Sequence, residues 1–232
     1  MVKLIDAAQP LSVQVHPTDD YKPGEYGKTE MWYIIEADKG ASILYGFNKD
    51  ISKSEISDRI QNNTLIEVLN AIPVEKGNSF FVEAGVVHAI GKGVVVAEVQ
   101  QNSNSTYRLY DYGRVDKDGK QRQLHIEDAL NVAVLNKTNI PAMPAAEHCE
   151  GYKKSKLASC KYFVVYKYEV FDKVNLSIGS DSFNSITITE GNGYFECEGV
   201  KYQFSRGNSF FMPANLGNCT AYGNFTFLLT AL

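Results

Sequence analysis

Leu11-Ser12-Val13-Gln14-Val15-His16-Pro17 reads as a β-strand with two unlike faces. Successive strand side chains alternate, so Val13 and Val15 fall on one side and Ser12, Gln14 and His16 on the other. Its neighbours are also strand-like. Glu30–Ala37 is β-branched and aromatic, and Asp38-Lys39-Gly40 turns it into Ala41–Phe47. Ser79–Glu83, Val87–Ile90, Val94–Gln100 and Thr106–Tyr110 are further candidates. Two segments break the pattern. Ser52–Asn70 carries Ile56, Ile60, Leu65, Val68 and Leu69 at helical spacing, which predicts a helix or a broken pair. Ile126–Leu135, with Glu127 and Asp128 in its first turn, predicts a second helix. Between Asn136 and Lys156 the composition shifts to Pro, Ala and Lys, and residues 141–156 are assigned as a linker. Strand-rich sequence resumes beyond it, with turn signals at Glu190-Gly191-Asn192-Gly193 and Glu198-Gly199. Many short strands and few helices predict a mostly β fold, a sandwich or barrel.

The two halves echo each other. Gly77-Asn78-Ser79-Phe80-Phe81 recurs as Gly207-Asn208-Ser209-Phe210-Phe211, each copy preceded by a basic residue, Lys76 or Arg206. The shared order of turn, aromatic strand, turn and strand predicts an internal duplication. Aligned without gaps, His88 of the first copy falls opposite Asn218 of the second.

Composition excludes several classes. The chain has 232 residues, 44% hydrophobic and 12% aromatic, which supports a real core and excludes a disordered chain. Twenty-three basic residues against 27 acidic ones, a net charge of −4, argue against nucleic-acid binding by bulk electrostatics. No apolar run approaches the roughly 20 residues of a membrane span, and the N-terminus has no signal-peptide pattern. Cys149, Cys160, Cys197 and Cys219 lack C-x-x-C spacing and read as thiols of a reducing cytoplasm.

Gln14 and His16, at i and i+2, project from one strand face and form a pair of potential metal ligands. Glu30 heads the next strand and His88 lies on a third. Two imidazoles, a carboxylate and an amide oxygen suit zinc, or iron, manganese or cobalt in its place. Against this, an isolated histidine is more often a surface or core residue, which is the reading taken for His125 and His148. Spacing alone does not decide the matter for His16.

Four blocks add specificity: LSVQVHP (11–17), GKTEMWYII (27–35), FFVEAGVVHAIGKG (80–93) and EVQQNSNSTYRLYDYGR (98–114). They resemble, in order, the signature blocks of type I mannose-6-phosphate isomerases, and the likeness covers essentially the whole chain. The resemblance implies two cupin (jelly-roll) domains with a small helical insertion and a connecting helix. Residues 1–140 would be the catalytic cupin and 157–232 a second cupin without a metal site. It implies one divalent metal per chain, zinc first, held by Gln14, His16, Glu30 and His88. Ser12 and Lys28 match positions associated with the substrate and its phosphate. Arg108 matches the active-site arginine, and Glu98 an acidic residue of the pocket. Family members normally carry a substantial segment before the LSVQVH block. This chain starts almost on it, so uncovered sheet edges are expected.

The implied chemistry interconverts mannose 6-phosphate and fructose 6-phosphate through an enediol. Negative charge then develops on the carbonyl oxygen, where a Lewis acid and a guanidinium both help. The phosphate is an anchor that orients the sugar. Arg108, in an aromatic strand, needs a partner if it faces inward; Glu98 is one candidate, or both face substrate. Glu98 and a metal-bound water remain the candidates for the general base. The alternatives are another metal-dependent cupin enzyme, such as an oxygenase, and a non-catalytic sugar-binding or structural cupin. A cytoplasmic monomer or weak homo-oligomer acting on a sugar phosphate, without nucleic acid or membrane partners, completes the expectation.

Overall fold

Six of the eight residues of β3 (Glu30–Ala37) are buried, as its run of aromatic and branched side chains requires. The computed structural model describes residues 1–115 and 117–232. Within residues 1–142 two sheets form. One is ordered β1 (Val2–Ala7), β8 (Val94–Gln100), β3, β6 (Ser79–Val82). The other is ordered β5 (Leu69–Pro73), β4 (Ser42–Phe47), β7 (His88–Ile90), β2 (Val13–Val15), β9 (Tyr107–Tyr110).

Trp32, Ile34, Phe80, Val82 and Val96 of the first sheet pack with Ile43, Tyr45, Ile72 and Ile90 of the second. The opposite face of the second sheet, with Val13, Val15, Phe47 and Leu109, packs with Ile56, Ile60, Leu65 and Ala129. The valines of β2 therefore take the helical side, and the Gln14 and His16 side chains are left for the interior between the sheets.

The segment from Ser52 to Asn70 is the broken pair. α1 (Lys53–Gln61) is capped by Ser52 Oγ, which accepts from the Glu55 N–H at 3.1 Å. A 3-10 turn at Leu65–Val68 follows. α2 (Ile126–Val132) ends three residues short of the expected Leu135. β1 was not anticipated from sequence. It pairs antiparallel with β8, Val2 opposite Val99 through Ala7 opposite Val94, and so covers that side of β8.

Residues 143–232 form the second unit. Its sheet is ordered β10 (Glu147–Cys149), β11 (Tyr152–Ser159), β12 (Val164–Val170), β17 (Gly217–Ala231), β14 (Asn184–Cys197), β15 (Val200–Ser205). β13 (Lys173–Ile178) adds to β17, and β16 (Ser209–Met212) to β14. Phe195, Phe204, Phe225 and Phe227 dominate the core. Two expectations are corrected here. Strands β10 and β11 occupy much of the stretch read as linker, because their backbones pair along an antiparallel ladder, while Glu147, His148 and Lys156 stay exposed. Cys197 and Cys219, read as thiols, stand opposite each other on β14 and β17 with Cα atoms 4.5 Å apart and are joined as a disulfide. Cys149 and Cys160 are free.

The duplication has a structural counterpart. Ile34 donates to the Asn78 carbonyl and accepts from the Gly77 N–H, both at 2.8 Å; Ile188 does the same with Asn208 and Gly207, both at 2.9 Å. In the turn before each copy, Asn78 Oδ1 accepts from Glu75 N–H and Asn208 Oδ1 from Ser205 N–H. Glu30 lies opposite Val82, and Asn184 opposite Met212. Asn184 thus takes the strand position of Glu30 in the second unit. No helix among the described residues is long and apolar enough to cross a membrane.

Candidate metal centre

β2 lies between β7 and β9, and its register sets Gln14 opposite His88 on one side and Arg108 on the other. Glu30 and Trp32 project from β3 onto the same face, two residues apart. The close turn before β3 needs Gly27, where a Cβ would lie 2.6 Å from the Asp19 nitrogen. There the Lys28 N–H donates to the Pro17 carbonyl at 3.0 Å, which brings Lys28 beside His16.

His16, Glu30 and His88 are all buried, and a ligand atom from each lies within 4.8 Å of the others. His16 Nδ1 donates to the Ser105 carbonyl and His88 Nδ1 to the Val86 carbonyl, both at 2.8 Å. A carbonyl can only accept, so each ring is held with Nε2 turned inward, the orientation that second-shell bonds impose on ligating histidines. His16 Nε2 is 3.2 Å from Glu30 Oε1, and His88 Nε2 is 3.8 Å from Glu30 Oε2. The Gln14 amide reaches His88 Nε2 at 3.4 Å. A half-turn of that amide about its last side-chain bond presents its oxygen to the same point. Glu30 Oε1 is buried with no well-formed hydrogen bond. The donor set of two imidazoles, a carboxylate and an amide oxygen fits a divalent cation.

Burial alone would raise the Glu30 carboxyl, but the His16 contact and the charges of His16, His88 and Lys28 hold it below its ordinary range. Burial, then the charge of His16, pushes the His88 imidazole down to about 3 from 6.5. The unfolded chain therefore takes up a proton on His88 below about 6.5 that the folded chain refuses until about 3. Stability without metal falls as pH drops through that window, and Glu30 adds a further loss below 4.5. Thermal melts of chelator-treated protein from about pH 7 to about pH 5 should show a falling midpoint, with a smaller fall in His88→Asn. A profile equally steep in both would remove His88 as the cause.

Lys28, matched above to substrate binding, is itself buried. Its Nζ lies 2.5 Å from Glu30 Oε1 and 3.3 Å from His16 Nε2. Ser12, also buried, accepts from Arg108 Nε at 3.2 Å, and Arg108 Nη1 donates to the Gln123 carbonyl at 2.7 Å. Burial, then the neighbouring Arg122, lowers the Arg108 guanidinium. Glu98 does not hydrogen-bond Arg108. Its carboxylate is 3.2 Å from Lys3 Nζ and accepts from Trp32 Nε1 at 3.3 Å, because β1 brings Lys3 opposite it. Burial and the charge of Glu30 push Glu98 up. Sequence reading missed Trp32 and Lys3. Trp32 looked like one more core aromatic, and Lys3 belongs to the unanticipated strand. His125 accepts from the Arg108 backbone N–H through Nδ1 at 3.2 Å, a structural position.

A jelly-roll sandwich holding an inward carboxylate and two inward imidazoles on separate strands defines the cupin class. A family model described as mannose-6-phosphate isomerase, cupin domain, matches residues 153–231. The mannose-6-phosphate isomerase ManA of Bacillus subtilis is 40% identical over 223 residues, 94% of this chain and 70% of that protein. The mannose-6-phosphate isomerase of Streptococcus mutans is 37% identical, over 92% of this chain and 67% of that one. A crystal structure of the mannose 6-phosphate isomerase from Bacillus subtilis superposes with a TM-score of 0.92 at 33% identity, over 100% of this chain and 74% of that one. The chain belongs to the mannose-6-phosphate isomerase family.

Proposed function

We propose that the chain is a metal-dependent aldose–ketose isomerase that interconverts mannose 6-phosphate and fructose 6-phosphate. The observation that carries this reading is the buried His16–Glu30–His88 cluster with Gln14 beside it, in a chain 40% identical to an isomerase of that name. Gln14, His16, Glu30 and His88 would hold the metal, and zinc suits their nitrogen and oxygen donors best. Bound there, the metal supplies Lewis-acid polarisation of the sugar's carbonyl.

The remaining roles fall to the chain's own side chains. Arg108, steadied by Ser12 and the Gln123 carbonyl, offers positive charge to the oxygen on which negative charge builds. Lys28 places its ammonium beside the ligand atoms, where a substrate oxygen and not a distant phosphate would meet it. Ser12 contributes a hydroxyl next to the guanidinium. Glu98 is a candidate to move the proton between C1 and C2. Its raised affinity for a proton suits a shuttling acid, and its ties to Lys3 and Trp32 fix its position. The second unit would be a cupin without a metal: Asn184 takes the strand position of Glu30, and Asn218 falls opposite His88 in the gap-free alignment of the two halves. A charged sugar phosphate does not cross a bilayer unaided, which supports a cytoplasmic location; the Cys197–Cys219 disulfide does not.

The test is a coupled assay for conversion of fructose 6-phosphate to mannose 6-phosphate, before and after chelation. Turnover that chelation abolishes and a divalent cation restores is the expected outcome. A chain that binds metal yet converts neither sugar would instead be a non-catalytic relative.

A further inference from the structure

Trp32 is the chain's single tryptophan and is 1% exposed. Its packing against His88 is edge-on, ring centroids 5.2 Å apart, which a phenylalanine could also provide. The indole N–H does something a phenyl ring cannot. It donates to Glu30 Oε2 at 3.0 Å and to Glu98 Oε2 at 3.3 Å. The two oxygens of Glu30 are therefore not equivalent: Oε2 has a donor, while Oε1, buried between Lys28 and His16, has no well-formed hydrogen bond.

We propose that Trp32 is a positioning residue whose N–H holds Oε2 of Glu30 and so presents Oε1 as the single ligating oxygen. The inference rests on the metal centre proposed above and adds to it a residue outside the ligand set. Sharing one N–H also lets Glu30 and Glu98 lie close together, and Lys3 offsets the second carboxylate from the far side. Outer donors of this kind commonly set metal affinity by roughly 10–100-fold.

Having one tryptophan makes a clean deletion of the N–H feasible. Expression with benzothienylalanine in place of tryptophan swaps the N–H for sulfur and keeps the ring's shape. Trp32→Phe serves as an independent second variant. Competition with a chromogenic chelator for zinc should give a Kd weakened by roughly 10–100-fold in both proteins. The emission of Trp32 in the parent should change on zinc addition with the same midpoint as the competition curve. A Kd within about twofold of the parent in the analogue protein, while His16→Ala abolishes binding, overturns the role of Trp32 alone. A parent chain that binds no zinc overturns the metal centre and this inference together.

Discussion

His88→Ala is expected to lose bound metal and isomerase turnover together, with kcat/KM lower by about a thousandfold or more. The side chain is fully buried, fixed through Nδ1, and has its Nε2 directed at Glu30 and Gln14. Removing it takes away one of two nitrogen donors and leaves a space beside Trp32 that the rigid strand β7 does not close. Because the imidazole is already neutral at physiological pH, no proton must leave it before a metal binds, and its loss is a loss of a ready donor. Elemental analysis of the purified variant, run beside a thermal melt, separates the outcomes. A folded variant retaining one metal per chain would take His88 out of the site. His88→Asn, which keeps a polar group at the position, guards against a folding defect.

Arg108→Ala is expected to lower kcat by about 10²–10³-fold while the metal stays bound. None of the side-chain hydrogen bonds of Arg108 goes to His16, Glu30 or His88; the guanidinium's partners are Ser12 and the Gln123 carbonyl. On the proposed reading the guanidinium would act on substrate charge and would not hold the ligands. Arg108→Lys should recover little, because one ammonium cannot hold both partners in that fork. Loss of metal in Arg108→Ala would make the residue structural.

Much of the first unit was legible because its strands carry their own signal. β3 and β8 are apolar on both faces and match the expected bounds, Glu30–Ala37 and Val94–Gln100, residue for residue. The Gln14–His16 pair was legible through period-two spacing, with valines claiming the opposite face. β1 was not. Its Leu4 stays half exposed, and the strand exists because β8 supplies a ladder partner, which no local pattern announces. The Cys197–Cys219 pairing was hidden for a similar reason. It depends on the register of two long strands, and a separation of 22 residues carries no motif.

The site divides the same way. The four candidate ligands could be read as chemistry, but their supports could not. The carbonyls of Ser105 and Val86 that aim the imidazoles are backbone atoms, invisible in residue identity. The resemblance singled out Glu98, whereas its partners Lys3 and Trp32 followed from β1 and from the packing of β3. The correspondence of Asn184 with Glu30 was also out of reach, since only the GNSFF turn survived as sequence likeness and the strand before it has diverged.

The most direct test is anomalous diffraction at the zinc edge from crystals of the zinc-loaded chain. The account predicts one peak, at roughly 2.0–2.2 Å from His16 Nε2, His88 Nε2 and Glu30 Oε1, with the Gln14 oxygen completing the set. A peak elsewhere, or none in protein that turns over substrate, would contradict it.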